Sequence, residues 1–106
     1  MSSIERVVNV AYRGVVVSVE AIGSGTWVRA WADGVVDPST GTSGLTLVRG
    51  GRVTFKAAQL VELRFGSPAS VTISINGRIL DRLGEVGVAA TWAFASDGSV
   101  TPSNRR

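Results

Sequence analysis

Two tryptophans and an arginine occupy alternate positions of one apolar segment, as Trp27, Arg29 and Trp31. In an extended strand, residues two apart project from the same face, so we expect the three side chains to share one surface. Tryptophan and arginine dominate the hot spots of protein interfaces, and a guanidinium can stack on an indole. This motif therefore predicts a platform for a partner protein or a glycan.

The same tryptophans could instead belong to the hydrophobic core. A tryptophan buries a large apolar area, and we expect Trp27 to be committed to the core. For Trp31 both a core and a surface position remain possible, because the opposite face of its strand, with Val28, Ala30 and Ala32, is also apolar.

Two further arginines, Arg49 and Arg52, flank a Gly-Gly pair at the tip of a predicted hairpin. They are either solvated turn charges or contacts to an anionic partner. The candidate partner-binding residues are therefore Arg29, Trp31, Arg49 and Arg52.

The residue types that most catalytic and metal sites use are missing from the sequence. The chain has no cysteine and no histidine, which excludes disulfides, thiolate catalysis and any histidine base or ligand. The sparse acids, Asp33 with Asp37 and Asp81 with Glu85, fall in predicted turns, where aspartate is a usual residue. We expect no enzyme activity, no cofactor and no metal site.

The composition allows a single domain with a substantial core. Of the 106 residues, 44% are hydrophobic and 18% are charged, and the net charge of +3 includes Arg105 and Arg106. The other arginines are scattered, so we expect no nucleic-acid interface. No segment reaches the roughly 20 apolar residues of a membrane helix, and no signal peptide is evident. We expect either a cytosolic protein or a domain of a longer one.

Apolar and polar residues alternate through most of the chain between glycine-rich turns, which is typical of short β-strands. These segments recur about every 8–12 residues, a spacing that favours a sandwich or barrel. We predict an all-β fold, a single-domain, Ig-like β-sandwich of about seven or eight short antiparallel strands. A linker or short first strand would occupy residues 1–14, the sandwich residues 15–96, and a flexible C-terminal tail residues 97–106.

One hairpin is predicted at Asn76-Gly77, the strongest short hairpin signal, which follows the alternating residues Val71, Ile73 and Ile75. Near the end of the chain, Val88, Trp92 and Phe94 share one strand face and are expected in the core.

A second hairpin is predicted between residues 45–48 and Arg52–Ala57. A three-residue loop would pair Leu47 with Val53 and keep the large apolar side chains on one face. Gly51 would then occupy the left-handed position of the loop.

An ordered series of short motifs runs through residues 15–98. It comprises Thr26-Trp27-Val28, Asp33-Gly34, residues 45–48, Gly50-Gly51, residues 63–66, residues 71–75, Asn76-Gly77, Leu83-Gly84 and residues 88–98. In this order the series resembles the C-terminal extracytoplasmic domain of the RodZ-type family of bacterial cell-shape proteins. The chain departs from that family at Ser67-Pro68, where Asn-Ala is usual, and in its long loop after Gly34.

The resemblance implies a β-sandwich module outside the membrane, which in that family follows a cytoplasmic helix-turn-helix domain, a membrane helix and a linker. It implies a non-catalytic protein-interaction domain of a membrane-anchored scaffold for cell shape and cell-wall elongation. The partners would be cell-envelope or cell-wall synthesis proteins, with no nucleic acid bound by this domain and no membrane span in this chain. Alternatively, only the fold is similar, and the domain is a surface- or glycan-binding β-sandwich unrelated to cell shape.

Overall fold

A computed structural model describes residues 14–67, 70–81, 83 and 89–106. These residues contain no α-helix and form ten strands, which confirms the predicted all-β fold. The strands are β1 Val15–Ala21, β2 Thr26–Ala32, β3 Val35–Val36, β4 Leu45–Leu47, β5 Arg52–Ala57, β6 Leu60–Phe65, β7 Val71–Ile75, β8 Arg78–Ile79, β9 Ala90–Ala95 and β10 Val100–Ser103. The short strand predicted within residues 1–14 lies outside the described residues, as does Val88.

The strands form two antiparallel sheets. The small sheet has the order β5-β1-β7-β8, and the large sheet has the order β10-β9-β6-β2. Both β3 and β4 pair with the remaining edge of β2, at Trp31–Ala32 and at residues 26–28 respectively. The inward side chains of both sheets form one continuous hydrophobic core, which is the arrangement of a β-sandwich.

The core follows from the alternation of side chains along each strand. On β1, Val15, Val17 and Val19 are buried while the residues between them are partly exposed. On β7, Val71, Ile73 and Ile75 point inward as predicted. The facing sheet contributes the fully buried side chains Val28, Val61, Leu63, Phe65 and Phe94. Each such side chain contributes about 1.5–3 kcal/mol on burial, so the two inward faces hold the sheets together.

The predicted hairpin at Asn76-Gly77 is confirmed. Asn76 and Gly77 have φ of 49° and 85°, the two left-handed residues of a type I′ turn, and Ile75 pairs with Arg78. The Asn76 side chain also accepts the Val16 N–H at 2.8 Å, which fixes the turn to β1.

The predicted hairpin between residues 45–48 and β5 is wrong. Instead, β4 pairs with β2 in the large sheet and β5 pairs with β1 in the small sheet. The Gly51 N–H donates to the Val48 carbonyl at 2.8 Å, and Gly50, not Gly51, has positive φ, at 86°. This is the geometry of a type II turn. Leu47 and Phe55 both reach the core, but from opposite sheets, which satisfies the apolar pattern as well as a hairpin would.

The C-terminal residues also differ from the predicted flexible tail over residues 97–106. Residues 100–103 form β10, which pairs with β9 from Val100 opposite Phe94 to Ser103 opposite Thr91. The chain reverses at Asp97, whose carboxylate accepts the Ser99 N–H at 2.8 Å. The segment contains a single large apolar residue, Val100, which packs against the core, so its alternation pattern was too weak to indicate a strand.

Candidate functional site

The outward side of the large sheet carries the tryptophan and arginine motif. On β2, Val28 and Ala30 point into the core, so Trp27, Arg29 and Trp31 lie on the opposite side. The strand register places Arg29 opposite Arg64, and Trp31 opposite Glu62. Beyond β6, Arg64 lies opposite Thr91, which in turn lies opposite Ser103. We call this surface, defined by Trp27, Arg29, Trp31, Glu62, Arg64, Thr91 and Ser103, the outer face.

Trp31 is covered although it does not belong to the interior core. It is only 5% exposed, because the guanidinium carbons of Arg29 and Arg105 lie 5.2 Å and 5.5 Å from its ring centroid. Cations within about 6 Å of an indole attract the ring and are held by it. Trp31 is therefore a support for two arginines rather than a free contact surface.

Arg105 reaches this position because Glu62 holds it. The Arg105 Nε–H donates to Glu62 Oε1 at 2.7 Å, and the Ser103 hydroxyl donates to Oε2 at 2.7 Å. The Thr91 hydroxyl donates to the Arg105 carbonyl. Glu62 is 6% exposed, and a buried carboxylate is tolerated when it is paired and hydrogen-bonded in this way. Neither Glu62 nor Arg105 was predicted as a site residue; the only signal for Glu62 is an acid between the apolar residues Val61 and Leu63.

Trp27 is not a core residue, contrary to expectation, because the strand alternation places it on the outer face. Its side chain is 37% exposed. The pyrrole part of the indole covers Gly66, where a Cβ would lie 2.7 Å and 2.8 Å from Cδ1 and Cε2 and closer still to Nε1. The Gly66 N–H donates to the Trp27 carbonyl at 3.1 Å. Only glycine therefore lets the ring pack this closely on the chain that follows β6.

Arg29 and Arg64 form a pair of like charges across neighbouring strands. The Arg64 Nη1–H donates to the Thr91 hydroxyl at 3.1 Å. The Arg29 Nε–H is shielded from solvent and has no hydrogen-bond partner. Within the described ranges, no carboxylate forms an ion pair with either arginine. The outer face thus holds two guanidiniums that no described carboxylate neutralises.

Arg49 and Arg52 do not join this surface. Arg49 is exposed in the turn that connects the two sheets. Arg52 lies on β5 of the small sheet, where its Nε is 3.2 Å from Glu20 Oε1. The Arg52 and Glu20 side chains are 76% and 40% exposed, and an ion pair this open contributes at most about 1 kcal/mol. Of the four candidate residues, the structure brings together only Arg29 and Trp31.

Two polar side chains away from the outer face, Asp33 and Thr40, have structural roles. Asp33, with φ of 50°, accepts the N–H groups of Leu60, Ala58 and Gln59, each at 2.9 Å. These three bonds, that of Leu60 foremost, lower the pKa of Asp33 from its ordinary value of 3.8. Thr40 is buried, and its hydroxyl accepts the Ala30 N–H at 3.1 Å, filling the gap between β3 and β4 along β2.

Other kinds of site find little support in the described part of the chain. A shallow depression of about 350 Å³ on the small sheet is lined by four hydroxyl side chains, among them Ser18 and Thr54, by the paired Glu20 and Arg52, and by aliphatic residues. No group of three or more metal-ligating side chains occurs among the described residues. Over the same residues, no helix is long and apolar enough to cross a membrane.

The outer face thus combines an exposed indole packed on a glycine, two guanidiniums without a described carboxylate partner, and a covered tryptophan on which one of them stacks. Comparison of the chain with protein-family models, with curated proteins and with solved structures found no match.

Proposed function

We propose that the domain is a non-catalytic protein-interaction module that binds its partner through the outer face, at Trp27 and Arg29. The observation that carries this proposal is the position of the Trp27 indole, which packs on Gly66 and leaves 37% of the residue exposed beside the arginines.

A rigid, partly exposed tryptophan suits a binding hot spot. It offers a large contact area, and little side-chain entropy is lost on binding because the ring is already held in place. The Thr26 hydroxyl accepts the Ser67 N–H at 2.9 Å, which links the chain on either side of the ring. Among the described residues, the other exposed large hydrophobic residues are Ile22, Val35, Val48 and Ile79, and aliphatic side chains are weaker anchors than tryptophan.

The resemblance to the RodZ-type family supports a more specific form of the proposal. In that form the partner is a cell-envelope or cell-wall synthesis protein, the domain lies outside the cytoplasm, and a membrane-anchored parent protein carries it. The β-sandwich fold is compatible with this proposal, although one fold serves many functions.

Photo-crosslinking tests the proposal in the native host. A photoreactive amino acid replaces Thr46, which is exposed and lies opposite Trp27, or Ile79, which is 72% exposed on the small sheet. We expect a protein adduct from position 46 and none from position 79. Trp27→Ala should abolish the adduct, whereas Val35→Ala, which also removes exposed apolar surface, should leave it unchanged. An adduct that survives Trp27→Ala would refute this binding surface.

A second candidate function, glycan binding, is favoured by the same indole, because an exposed aromatic face can stack on a sugar ring. Titration with a soluble chitooligosaccharide separates the two candidates through tryptophan fluorescence. A saturable change that Trp27→Ala removes, together with no protein adduct from position 46, would replace the protein partner by a glycan.

A further inference from the structure

The charges of the outer face are not balanced. Among its described residues, the cations are Arg29 and Arg64 and the acid is Glu62, while Arg105 packs against the face from the end of the chain. Glu62 is already occupied, because Arg105 and Ser103 bind its two oxygens at 2.7 Å each. Arg29 and Arg64 therefore have no carboxylate partner among the described residues.

The placement of Arg29 directly opposite Arg64 is unfavourable in the free protein. Like charges at opposed positions of an antiparallel pair repel each other. In addition, the Arg29 Nε–H is shielded from solvent without an acceptor, and an unmade hydrogen bond of a charged group is costly. A bound anion would offset the repulsion between the two guanidiniums.

Both guanidiniums are held in position before any ligand arrives. Arg29 stacks on Trp31, and its Cγ packs against Gly44, where a Cβ would lie only 3.2 Å away. Arg64 is held by its hydrogen bond to Thr91. The planar guanidinium presents paired N–H donors that match the two oxygens of a carboxylate.

We propose that Arg29 and Arg64 form a binding site for a carboxylate, supplied by an aspartate or glutamate side chain of the partner protein. This inference rests on the proposed function and specifies that the partner segment beside Trp27 is acidic. A carboxylate is favoured because the same face already binds one, in the Arg105–Glu62 pair. A nucleic acid would need a longer row of cations than these two arginines provide.

Nuclear magnetic resonance can test the site with small probes, through the Nε–H signals of Arg29 and Arg64. The probes are N-acetyl-glutamate amide, its glutamine analogue as a neutral control, and inorganic phosphate, each at low salt to limit screening. We expect saturable shifts of both signals with the glutamate probe and none with the glutamine probe. Tighter binding of phosphate than of the glutamate probe would overturn the carboxylate assignment.

Matched charge removals give the second readout. Arg64→Gln should weaken binding of the glutamate probe about tenfold or more, since a charge-assisted hydrogen bond is lost. The melting temperature of the Arg64→Gln variant should stay unchanged or rise, because repulsion from Arg29 is relieved. Arg49→Gln removes the same charge from the distant turn and should leave binding unchanged. Equal weakening by the two variants would show that net charge, not this site, attracts the probe.

The outcomes also separate this site from the proposed function. If the adduct at position 46 depends on Trp27 but not on Arg29 or Arg64, the interaction module stands and the carboxylate site is wrong. If the glutamate probe binds as expected but no adduct forms, the carboxylate site stands and the proposed partner surface is wrong.

Discussion

Replacement of Gly66 by alanine tests how Trp27 is held on the outer face. The new Cβ would lie under 3.0 Å from three indole atoms, where ordinary contacts are 3.4–4 Å, so the ring must lift away. Gly66 does not have positive φ, so an alanine there causes no left-handed strain. The whole cost therefore comes from the displaced ring.

The size of the effect follows from the surface that the ring covers. A buried tryptophan covers about 150–250 Å², and lifting this one would expose roughly 80–100 Å² of apolar surface. At about 25 cal/mol per Å², the loss is about 2–2.5 kcal/mol. The reduced entropy of the unfolded alanine chain offsets about 0.4–1 kcal/mol of it. We expect Gly66→Ala to lower the free energy of unfolding by about 1.5 kcal/mol, which corresponds to a fall of about 6 °C in Tm.

A double-mutant cycle in urea denaturation separates the ring contact from other causes. In the Trp27→Ala background the clash is absent, so Gly66→Ala should be neutral or stabilising by up to about 1 kcal/mol. If Gly66→Ala destabilises both backgrounds equally, the backbone at residue 66 is responsible and the proposed support for Trp27 is wrong.

Three further substitutions are tested by the same denaturation measurement. Asp33→Asn should lower stability at neutral pH, although asparagine tolerates the left-handed φ. Because folding lowers the pKa of Asp33, the stability difference between wild type and variant should shrink as the pH falls below about 4 and through that pKa; a difference that does not depend on pH would contradict this. Thr40→Val should cost about 1–3 kcal/mol by leaving the buried Ala30 N–H without an acceptor, whereas the exposed Thr42→Val should cost less than about 0.5 kcal/mol. Gly50→Ala should cost about 1 kcal/mol because of its φ of 86°, and Gly50→Asn less; equal losses would argue against backbone strain.

Local sequence signals predicted the fold class and several turns. The alternation of Val71, Ile73 and Ile75 fixed their inward direction, and Asn76-Gly77 fixed the turn that follows, because both depend on neighbouring residues alone. A turn at Arg49–Gly51 was predicted, but its left-handed residue is Gly50 rather than Gly51, and the partners of its two flanking strands were not predicted. A turn specifies a local change of direction, whereas the choice of sheet depends on contacts distant along the chain.

The candidate site was predicted only in part, for a similar reason. Alternation correctly placed Trp27, Arg29 and Trp31 on one face of β2. It could not indicate which tryptophan is exposed, because Arg105, near the end of the chain, covers Trp31, while the Trp27 ring packs on Gly66. Exposure depends on tertiary neighbours that a period-two pattern does not encode.

The edges of both sheets bear on how this domain meets other chains. Pro102 lies in the edge strand β10 and has no N–H to offer a neighbour, and β3 and β4 divide the opposite edge into segments of two and three residues. In the small sheet, β8 has two residues and β5 exposes Arg52 and Lys56. Short, charged or proline-containing edges are poor templates for strand addition, so they oppose amyloid-like stacking and donor-strand exchange. The domain should therefore remain monodisperse at high concentration and be recognised through its faces rather than by extending a sheet.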